Sequence, residues 1–208
     1  MTIFFTSDTH FGHKNILHLG DGRPYKDIDH HDTMLMANWH ETVTADDMVI
    51  HLGDVAMGPW PDGLMKMKGL PGFKVLVPGN HDRVSSLESE ARRNRFMDDY
   101  LEVFDEVWGE VEQFALQGQM FVLSHYPYHG DHTAVDRHSK LRPTDQGVPL
   151  IHGHTHQTEQ ITYSNKSTKM ISVGVDANDF KPVHEDEILR RWRKPRFELS
   201  KKLTEEDN

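Results

Sequence analysis

The first half of the chain alternates short apolar runs with longer segments that carry helical signals. The apolar runs lie at 2–6, 47–52 and 73–77, and the helical segments at 29–43 and 85–96. The runs are rich in β-branched and aromatic residues and end in polar turns, which is typical of buried strands. Ser85 or Ser86 is a suitable N-cap for the second helix. Because strands and helices alternate, we predict a parallel sheet with right-handed crossovers.

The second half has a different pattern, with short strand-like runs and few helical signals between them. The runs lie at 102–108, 111–116, 120–125, 150–153, 159–163 and 169–175, and a last helix is expected at 185–193. No internal repeat or linker divides the chain. We therefore predict a single domain over residues 1–208 of the α/β class, with two stacked mixed β-sheets flanked by helices. A frayed tail is expected at about 200–208.

Composition excludes several classes of protein. Hydrophobic residues make up 36% of the 208 residues, which is enough to bury a core. The net charge of −10 argues against a stable partnership with long nucleic acids, because phosphate backbones need a basic surface. The absence of cysteine excludes thiol nucleophiles and Cys-ligated zinc. No apolar run is long enough to span a membrane and the first residues lack a signal-peptide pattern, so we expect a cytoplasmic location without a membrane partner.

Polar residues of the types that bind metals follow the strand-like runs in both halves of the chain. They are Asp8, His10, Asp54, Asn80, His81, Asp82, His125, His154 and His156. Because ligands bind at the carboxyl ends of strands in α/β sheets, we expect these ends to converge. The i, i+2 pairs, such as Asp8 and His10, are expected to point to one side of an extended chain. Gly53 and Gly79 are expected to allow sharp turns.

Each cluster alone is a weak signal, because such triplets are usually surface turns. Five clusters in this order, each at a strand end, resemble the calcineurin-like metallophosphoesterases. The matching motifs are Asp8-x-His10, Gly53-Asp54, Gly79-Asn80-His81-Asp82, His125 and Gly153-His154-Thr155-His156. The opening segment is most similar to small bacterial and phage members. The resemblance implies a calcineurin-like four-layer sandwich.

The resemblance also implies a site for two divalent cations. The implied ligands are Asp8, His10 and His156 for the first cation, Asn80, His125 and His154 for the second, and Asp54 as the bridge. We expect Mn²⁺ at this site, and the hard and borderline ligands leave iron, zinc, cobalt and magnesium open as well. A metal-bridging hydroxide would attack phosphorus, and His81 would act as the general acid.

Three further assignments have alternatives. Asp82 is the second candidate catalytic residue, either orienting a backbone or histidine group or capping a helix. Asn80 and His13 are candidates for contact with substrate, and packing is an equal alternative for His13. The segment 128–148, which contains Asp131, His132 and Arg137, is either a substrate-lining or a solvated loop.

The expected activity is that of a phosphodiesterase on small esters such as cyclic nucleotides. The alternatives are a phosphomonoesterase or protein phosphatase of the same fold, and a non-catalytic binding scaffold. Met57 stands where protein phosphatases have an aspartate, purple acid phosphatases a tyrosine and related DNA nucleases a histidine. This departure disfavours all three subfamilies and leaves open what orients His81.

Overall fold

A computed structural model describes residues 1–19, 22–131 and 135–196. The expected tail at about 200–208 and His132 of the candidate loop lie outside the described residues.

The first sheet has the strand order β10-β1-β2-β3-β4. Its strands are β1 (Ile3–Thr6), β2 (Met48–His51), β3 (Phe73–Leu76), β4 (Glu106–Val107) and β10 (Val183–His184). β1 to β4 are parallel to one another, and β10 pairs antiparallel with β1. The prediction of a parallel arrangement for the first three strands is confirmed.

Three helices precede β4 along the chain, and two of them were predicted. They are α1 (Ile28–Thr42), α2 (Asp62–Met65) and α3 (Glu90–Leu101). The Asp27 carboxylate accepts the amide hydrogen of His30 at 2.8 Å, which caps α1. Leu35 and Trp39 of α1 and Tyr100 of α3 join the core cluster that contains Val49 of β2. These helices therefore bury one face of the first sheet.

The second sheet has the strand order β5-β6-β7-β9-β8. Its strands are β5 (Val111–Leu116), β6 (Gln119–Ser124), β7 (Leu150–His152), β8 (Ile161–Tyr163) and β9 (Lys169–Ser172). Phe5 and Ile50 of the first sheet pack in one cluster with Phe121, Ile151 and Ile171 of the second. This hydrophobic cluster therefore lies between two stacked mixed sheets, as predicted.

Two further segments complete the packing around the second sheet. The final helix, α4 (Glu185–Arg193), adds Ile188 and Leu189 to the core between the sheets. On the opposite face, Tyr128 packs against Val122 and Leu150. The segment that contains Tyr128 therefore covers this face of the sheet. None of the helices in the described ranges is long and apolar enough to cross a membrane.

Several predicted boundaries are wrong, and two of them have a clear physical cause. α3 begins at Glu90 rather than at Ser85, and Ser89 caps it by accepting the amide hydrogen of Arg92. The Ser85 hydroxyl instead donates to the Glu110 carboxylate at 2.9 Å, so a contact distant in sequence takes the place of a helix cap. The strand expected at 102–108 is reduced to β4, because Glu102 is the C-cap of α3 and the chain turns there before it becomes extended.

Candidate metal centre

The candidate ligands follow β1, β2, β3, β6 and β7 and meet where the two sheets adjoin. A parallel bridge between Ser7 and Gly174 joins the chain after β1 to the chain after β9. The amide of Gly153 donates to the carbonyl of His125 at 3.0 Å, which joins the chain after β7 to that after β6. These links bring residues that are far apart in sequence to one edge of the sandwich.

Asp8, His10 and His156 form the first group of donor atoms. The Nε2 atoms of His10 and His156 lie 3.1 Å apart. The Asp8 Oδ1 atom lies 3.6 Å from Nε2 of His156 and 3.9 Å from Nε2 of His10. A carboxylate oxygen and two imidazole nitrogens at these separations can bind one divalent cation.

Asn80, His125 and His154 form the second group. The His125 Nε2 atom lies 3.2 Å from the Asn80 Oδ1 atom and 3.2 Å from Nδ1 of His154. The structure therefore brings together the three side chains expected at a second cation, including the neutral amide oxygen.

Asp54 lies between the two groups. Its Oδ2 atom is 3.7 Å from Nε2 of His10 in the first group and 3.4 Å from Nε2 of His125 in the second. The Oδ1 atom accepts the amide hydrogen of His81 at 2.8 Å. One carboxylate thus faces both groups and also anchors the backbone of the candidate general acid.

The expectation of extended i, i+2 pairs is wrong. Asp8, His10, Asp54, His154 and His156 have φ angles of 59°, 49°, 57°, 71° and 52°. These values lie in the left-handed region, which non-glycine residues rarely adopt. The donor atoms converge because the backbone bends at these five candidate ligands, and the side chains do not simply alternate along straight strands. Backbone strain of this kind is concentrated at functional sites.

Two glycines leave room for the carboxylates. A Cβ atom on Gly79 would lie 2.4 Å from Oδ1 of Asp54, and one on Gly153 would lie 2.4 Å from Oδ2 of Asp8. Gly53 has a φ of 84°, in agreement with its predicted role in a sharp turn. Gly79 has a different role from the predicted one, because its requirement is the close approach of a neighbouring carboxylate.

Hydrogen bonds outside the two groups orient two of the imidazoles. Nδ1 of His125 lies 2.7 Å from the carbonyl of Leu52, so it donates its hydrogen there and Nε2 faces the site. Nε2 of His154 lies 3.1 Å from the Asp131 carboxylate, so Nδ1 is the nitrogen that faces the second group. A carboxylate behind an imidazole is a frequent arrangement around metal ligands.

Asp131 belongs to the segment 128–148, whose role the sequence left open. Its side chain has no exposed surface, and it accepts hydrogen bonds from Arg137 and Arg142 as well as from His154. The segment is therefore not merely solvated, because one of its carboxylates supports a candidate ligand.

Asp82 holds the backbone of two ligand-bearing loops. Its buried carboxylate accepts the amide hydrogens of Asp54 at 2.8 Å, Val55 at 3.2 Å and Gly79 at 2.8 Å. The Tyr100 hydroxyl lies 3.3 Å from the same group. No helix begins at Asp82, and of the two roles left open the structure favours orientation of the backbone. Burial, together with the charge of Asp54, raises the pKa of Asp82 to about 6.

Sequence reasoning gave no role to Arg23 or Asp176. Arg23 is buried, and its guanidinium donates to the carbonyl of Asp8 at 2.8 Å and to both carboxylate oxygens of Asp176 at 2.8 Å. Asp176 in turn lies 3.6 Å from Nδ1 of His156. The position of Asp176 shortly after the run that forms β9 was a usable signal, because the other candidate ligands also follow strands.

Two clefts open beside His81. The first, the Trp60 cleft, has a volume of about 400 Å³ and is lined by Trp60, Arg83, Asn80, Met57 and His81, among other residues. The second, the His13 cleft, has a volume of about 370 Å³ and is lined by His13, Ile16, Leu19, Met57 and His81, among others. His81 is exposed and borders both clefts. Met57 also lies on both.

His13 and Asn80 are both accessible from a cleft. The Nδ1 atom of His13 has no hydrogen-bond partner, and its ring centroid lies 5.5 Å from that of His10. Burial lowers the pKa of His13, which favours its neutral form. The His13 side chain also makes no capping hydrogen bond to the short 3-10 helix Lys14–His18 that follows it.

The electrostatics of the site favour a positive charge between the two groups. Burial lowers the pKa of His154 to about 3 and holds that of His10 well below its usual value, so both present neutral nitrogens. Burial acts in the same direction on His125, but the adjacent Asp54 carboxylate outweighs it and raises the pKa to about 9. Buried carboxylates surrounded by imidazole and amide donors fit divalent cations of the transition series.

A sandwich of two mixed sheets that gathers carboxylate, amide and imidazole donors at its strand ends defines a metallophosphoesterase. The sequence pattern of the calcineurin-like phosphoesterase superfamily domain matches residues 1–177. The chain therefore belongs to the calcineurin-like phosphoesterase superfamily, and membership supports a phosphoric ester hydrolase that uses divalent metal ions.

Two curated relatives of this chain come from mycobacteriophages. The gene 66 protein of Mycobacterium phage D29 is 36% identical over 191 residues, which cover 88% of this chain and 92% of that protein. The gene 66 protein of Mycobacterium phage L5 is 35% identical over 183 residues, which cover 84% and 86% of the two chains. Among solved structures, the protein of unknown function AQ665 from Aquifex aeolicus is similar with a TM-score of 0.66 and 27% identity, covering 91% of this chain and 98% of that one.

Proposed function

We propose that the protein is a binuclear-metal phosphodiesterase that acts on small esters such as nucleotides. The observation that carries this proposal is the position of Asp54. Its Oδ2 atom lies 3.7 Å from a donor of the first group and 3.4 Å from a donor of the second. A carboxylate shared in this way suits two adjacent cations.

Asp8, His10 and His156 would hold one cation and Asn80, His125 and His154 the other, with Asp54 between them. Two divalent ions, Mn²⁺ being favoured, would supply Lewis-acid activation of the phosphate and of the attacking water. Asn80 contributes an oxygen without charge, which limits the negative charge that an anionic substrate meets.

His81 is the proposed general acid. Its backbone is fixed by the bond from its amide to Asp54, while its side chain makes no hydrogen bond to any residue of the described ranges. The ring nitrogen is therefore available to give a proton to the leaving oxygen, a contribution typically worth about 10²–10⁴-fold in rate. Anchoring through the backbone also provides a way to position His81 in a chain that has Met57 in place of an orienting aspartate.

The two clefts favour a diester over a monoester. A monoester has one substituent on phosphorus, while a diester has two that must leave the metal centre in different directions. The Trp60 cleft and the His13 cleft open beside the same His81 and offer about 400 and 370 Å³. Each cleft could therefore receive one of the two substituents.

Asp82 contributes by holding the loops that carry Asp54 and Gly79. We assign it a positioning role.

Metal analysis and hydrolysis test the proposal. The purified protein should bind two Mn²⁺ ions per chain and hydrolyse bis(p-nitrophenyl) phosphate faster than p-nitrophenyl phosphate. Asp54→Ala should lose both ions, because its carboxylate faces both groups. If the wild-type protein bound one ion per chain or preferred the monoester, the proposal would be contradicted. If it bound both ions but hydrolysed neither substrate, it would be a binding scaffold.

The role of His81 is tested separately. His81→Gln should retain both metals and lose at least about 10²-fold in kcat on an alkyl leaving group, and less on p-nitrophenolate, which needs no proton to leave. His40→Gln, on the exposed end of α1, is the matched control. Equal losses on the two leaving groups would remove His81 from proton transfer.

A further inference from the structure

The Trp60 cleft contains a cation that the proposed chemistry does not use. The guanidinium of Arg83 lies 4.1 Å from the ring centroid of Trp60 and 4.6 Å from that of Phe96. Its backbone amide donates to the Tyr100 hydroxyl at 3.0 Å. The side chain is thus held against two aromatic rings beside the metal centre.

The edge of this guanidinium remains available to a ligand. Among the described residues, no carboxylate lies within ion-pair distance of Arg83, whereas the neighbouring Arg92 pairs with Glu88 at 3.1 Å. Glu88 is also the acidic side chain that lines the cleft, so its charge is already offset. Stacking uses the face of a guanidinium and leaves its N–H donors free in the plane, where they match the oxygens of a phosphate.

The His13 cleft offers a different environment. Ile16 and Leu19 contribute apolar surface there, and the arginine that lines it, Arg137, is paired with Asp131. The two sides of His81 therefore differ, with apolar surface on one and an arginine without a carboxylate partner on the other. This asymmetry suits an ester with an apolar or aromatic substituent on one side and an anionic one on the other.

We infer that the Trp60 cleft is an anion subsite in which Arg83 binds a second phosphate group of the substrate. The inference rests on the proposed function, since it assigns the substituent that a diester places in this cleft. It narrows the substrate class to phosphodiesters that carry an additional terminal phosphate, such as a nucleotide unit with a phosphate at its far end.

The inference is tested by binding, independently of turnover. Calorimetric titration of the full-length, Mn²⁺-loaded protein would compare adenosine 3′,5′-bisphosphate with the 3′- and 5′-monophosphates. We expect the bisphosphate to bind about tenfold more tightly than either monophosphate, the size of one charge-assisted hydrogen-bonded contact. Arg83→Gln should reduce this preference to within twofold. Equal affinities in the wild type would overturn the inference.

Arg95→Gln is the matched control, because Arg95 also stacks on Phe96, at 5.4 Å, but does not line the cleft. Arg95→Gln should keep the tenfold preference for the bisphosphate. If this control also lost the preference, the cause would be a general charge effect, and the subsite would be overturned. Arg83→Lys, which keeps the charge without the planar fork, should lose most of the preference and replaces Arg83→Gln if that variant does not fold. Hydrolysis of bis(p-nitrophenyl) phosphate by the same samples separates the two proposals. If the protein preferred the bisphosphate but did not hydrolyse the diester, only the proposed phosphodiesterase function would be refuted, and the anion subsite would stand.

Discussion

Replacing Gly153 with alanine should damage the metal centre by displacing the carboxylate of Asp8. The added Cβ atom would lie 1.9 Å from the Oγ atom of Ser7 and 2.4 Å from the Oδ2 atom of Asp8. Ser7 cannot easily yield, because its hydroxyl donates to the same Asp8 oxygen at 2.6 Å and lies 2.9 Å from the carbonyl of Leu52. The two groups must therefore move together.

The size of the movement decides the effect on metal binding. Ordinary contacts of a Cβ atom begin at 3.4 Å, so Oδ2 of Asp8 must retreat by about 1 Å, and Oδ1, which faces the first group, moves with it in the same carboxylate. Bonds between carboxylate oxygens and transition-series cations are about 2.0–2.2 Å long, and a shift of that size breaks such a bond. Loss of a residue that only hydrogen-bonds to a metal ligand typically weakens metal affinity about 10–100-fold. Since Gly153→Ala displaces a ligand itself, we expect the affinity for the first cation to fall further than that. Overpacking should also lower the free energy of unfolding by about 1–3 kcal/mol.

Equilibrium dialysis against buffered free Mn²⁺, followed by metal analysis, measures the affinity, and urea unfolding measures the stability. Gly69→Ala is the matched control, because a Cβ atom on Gly69 meets nothing within 4 Å. The control should bind Mn²⁺ as the wild type does. If Gly153→Ala is folded and binds two ions with wild-type affinity, the assignment of Asp8 as a ligand in this geometry is refuted.

Three further variants test the side chains that support the ligands. Asp131→Asn should weaken metal affinity about 10–100-fold through His154, whereas Asp136→Asn in the same loop should not; equal effects in dialysis would contradict this. Asp82→Ala should lower the free energy of unfolding in urea by at least about 3 kcal/mol, because three amides lose a buried acceptor, and Tyr100→Phe should cost only about 1 kcal/mol. Arg23→Lys should lose about 3 kcal/mol, because an ammonium cannot bind Asp176 with two parallel bonds, and wild-type stability in the urea curve would argue against this network.

Most of the sheet framework could be predicted from the sequence because its strands are short apolar runs that end in polar turns. β10 and α2 were missed, since two and four residues carry no readable periodicity. The start of α3 was misplaced for a different reason. Ser85 has the side chain of a helix cap, but Glu110 binds it, and a contact between residues so distant along the chain leaves no local pattern.

The candidate site also has a part that could be predicted from the sequence and a part that could not. Types and spacing of the candidate ligands were readable because each sits in a turn after a strand. The residues that support them are harder to predict, since Arg23 and Asp131 lie at positions that only the folded chain brings near the ligands. Asp176, which follows β9, is the one of these supports that carries a readable signal. The reason given for convergence was also wrong, because alternation along a strand cannot describe residues with left-handed backbone.

Backbone strain explains why such supports are needed. A left-handed non-glycine residue costs roughly 1–2 kcal/mol, and five candidate ligands adopt this conformation. The bends persist only if other contacts outweigh the cost, and the structure provides them as bonds to the main chain. Arg23 binds the carbonyl of Asp8, and Asp82 binds the amide of Asp54. Since these bonds fix the donor atoms of the carboxylates, groups that never touch a substrate set the geometry in which a cation and a phosphate would meet.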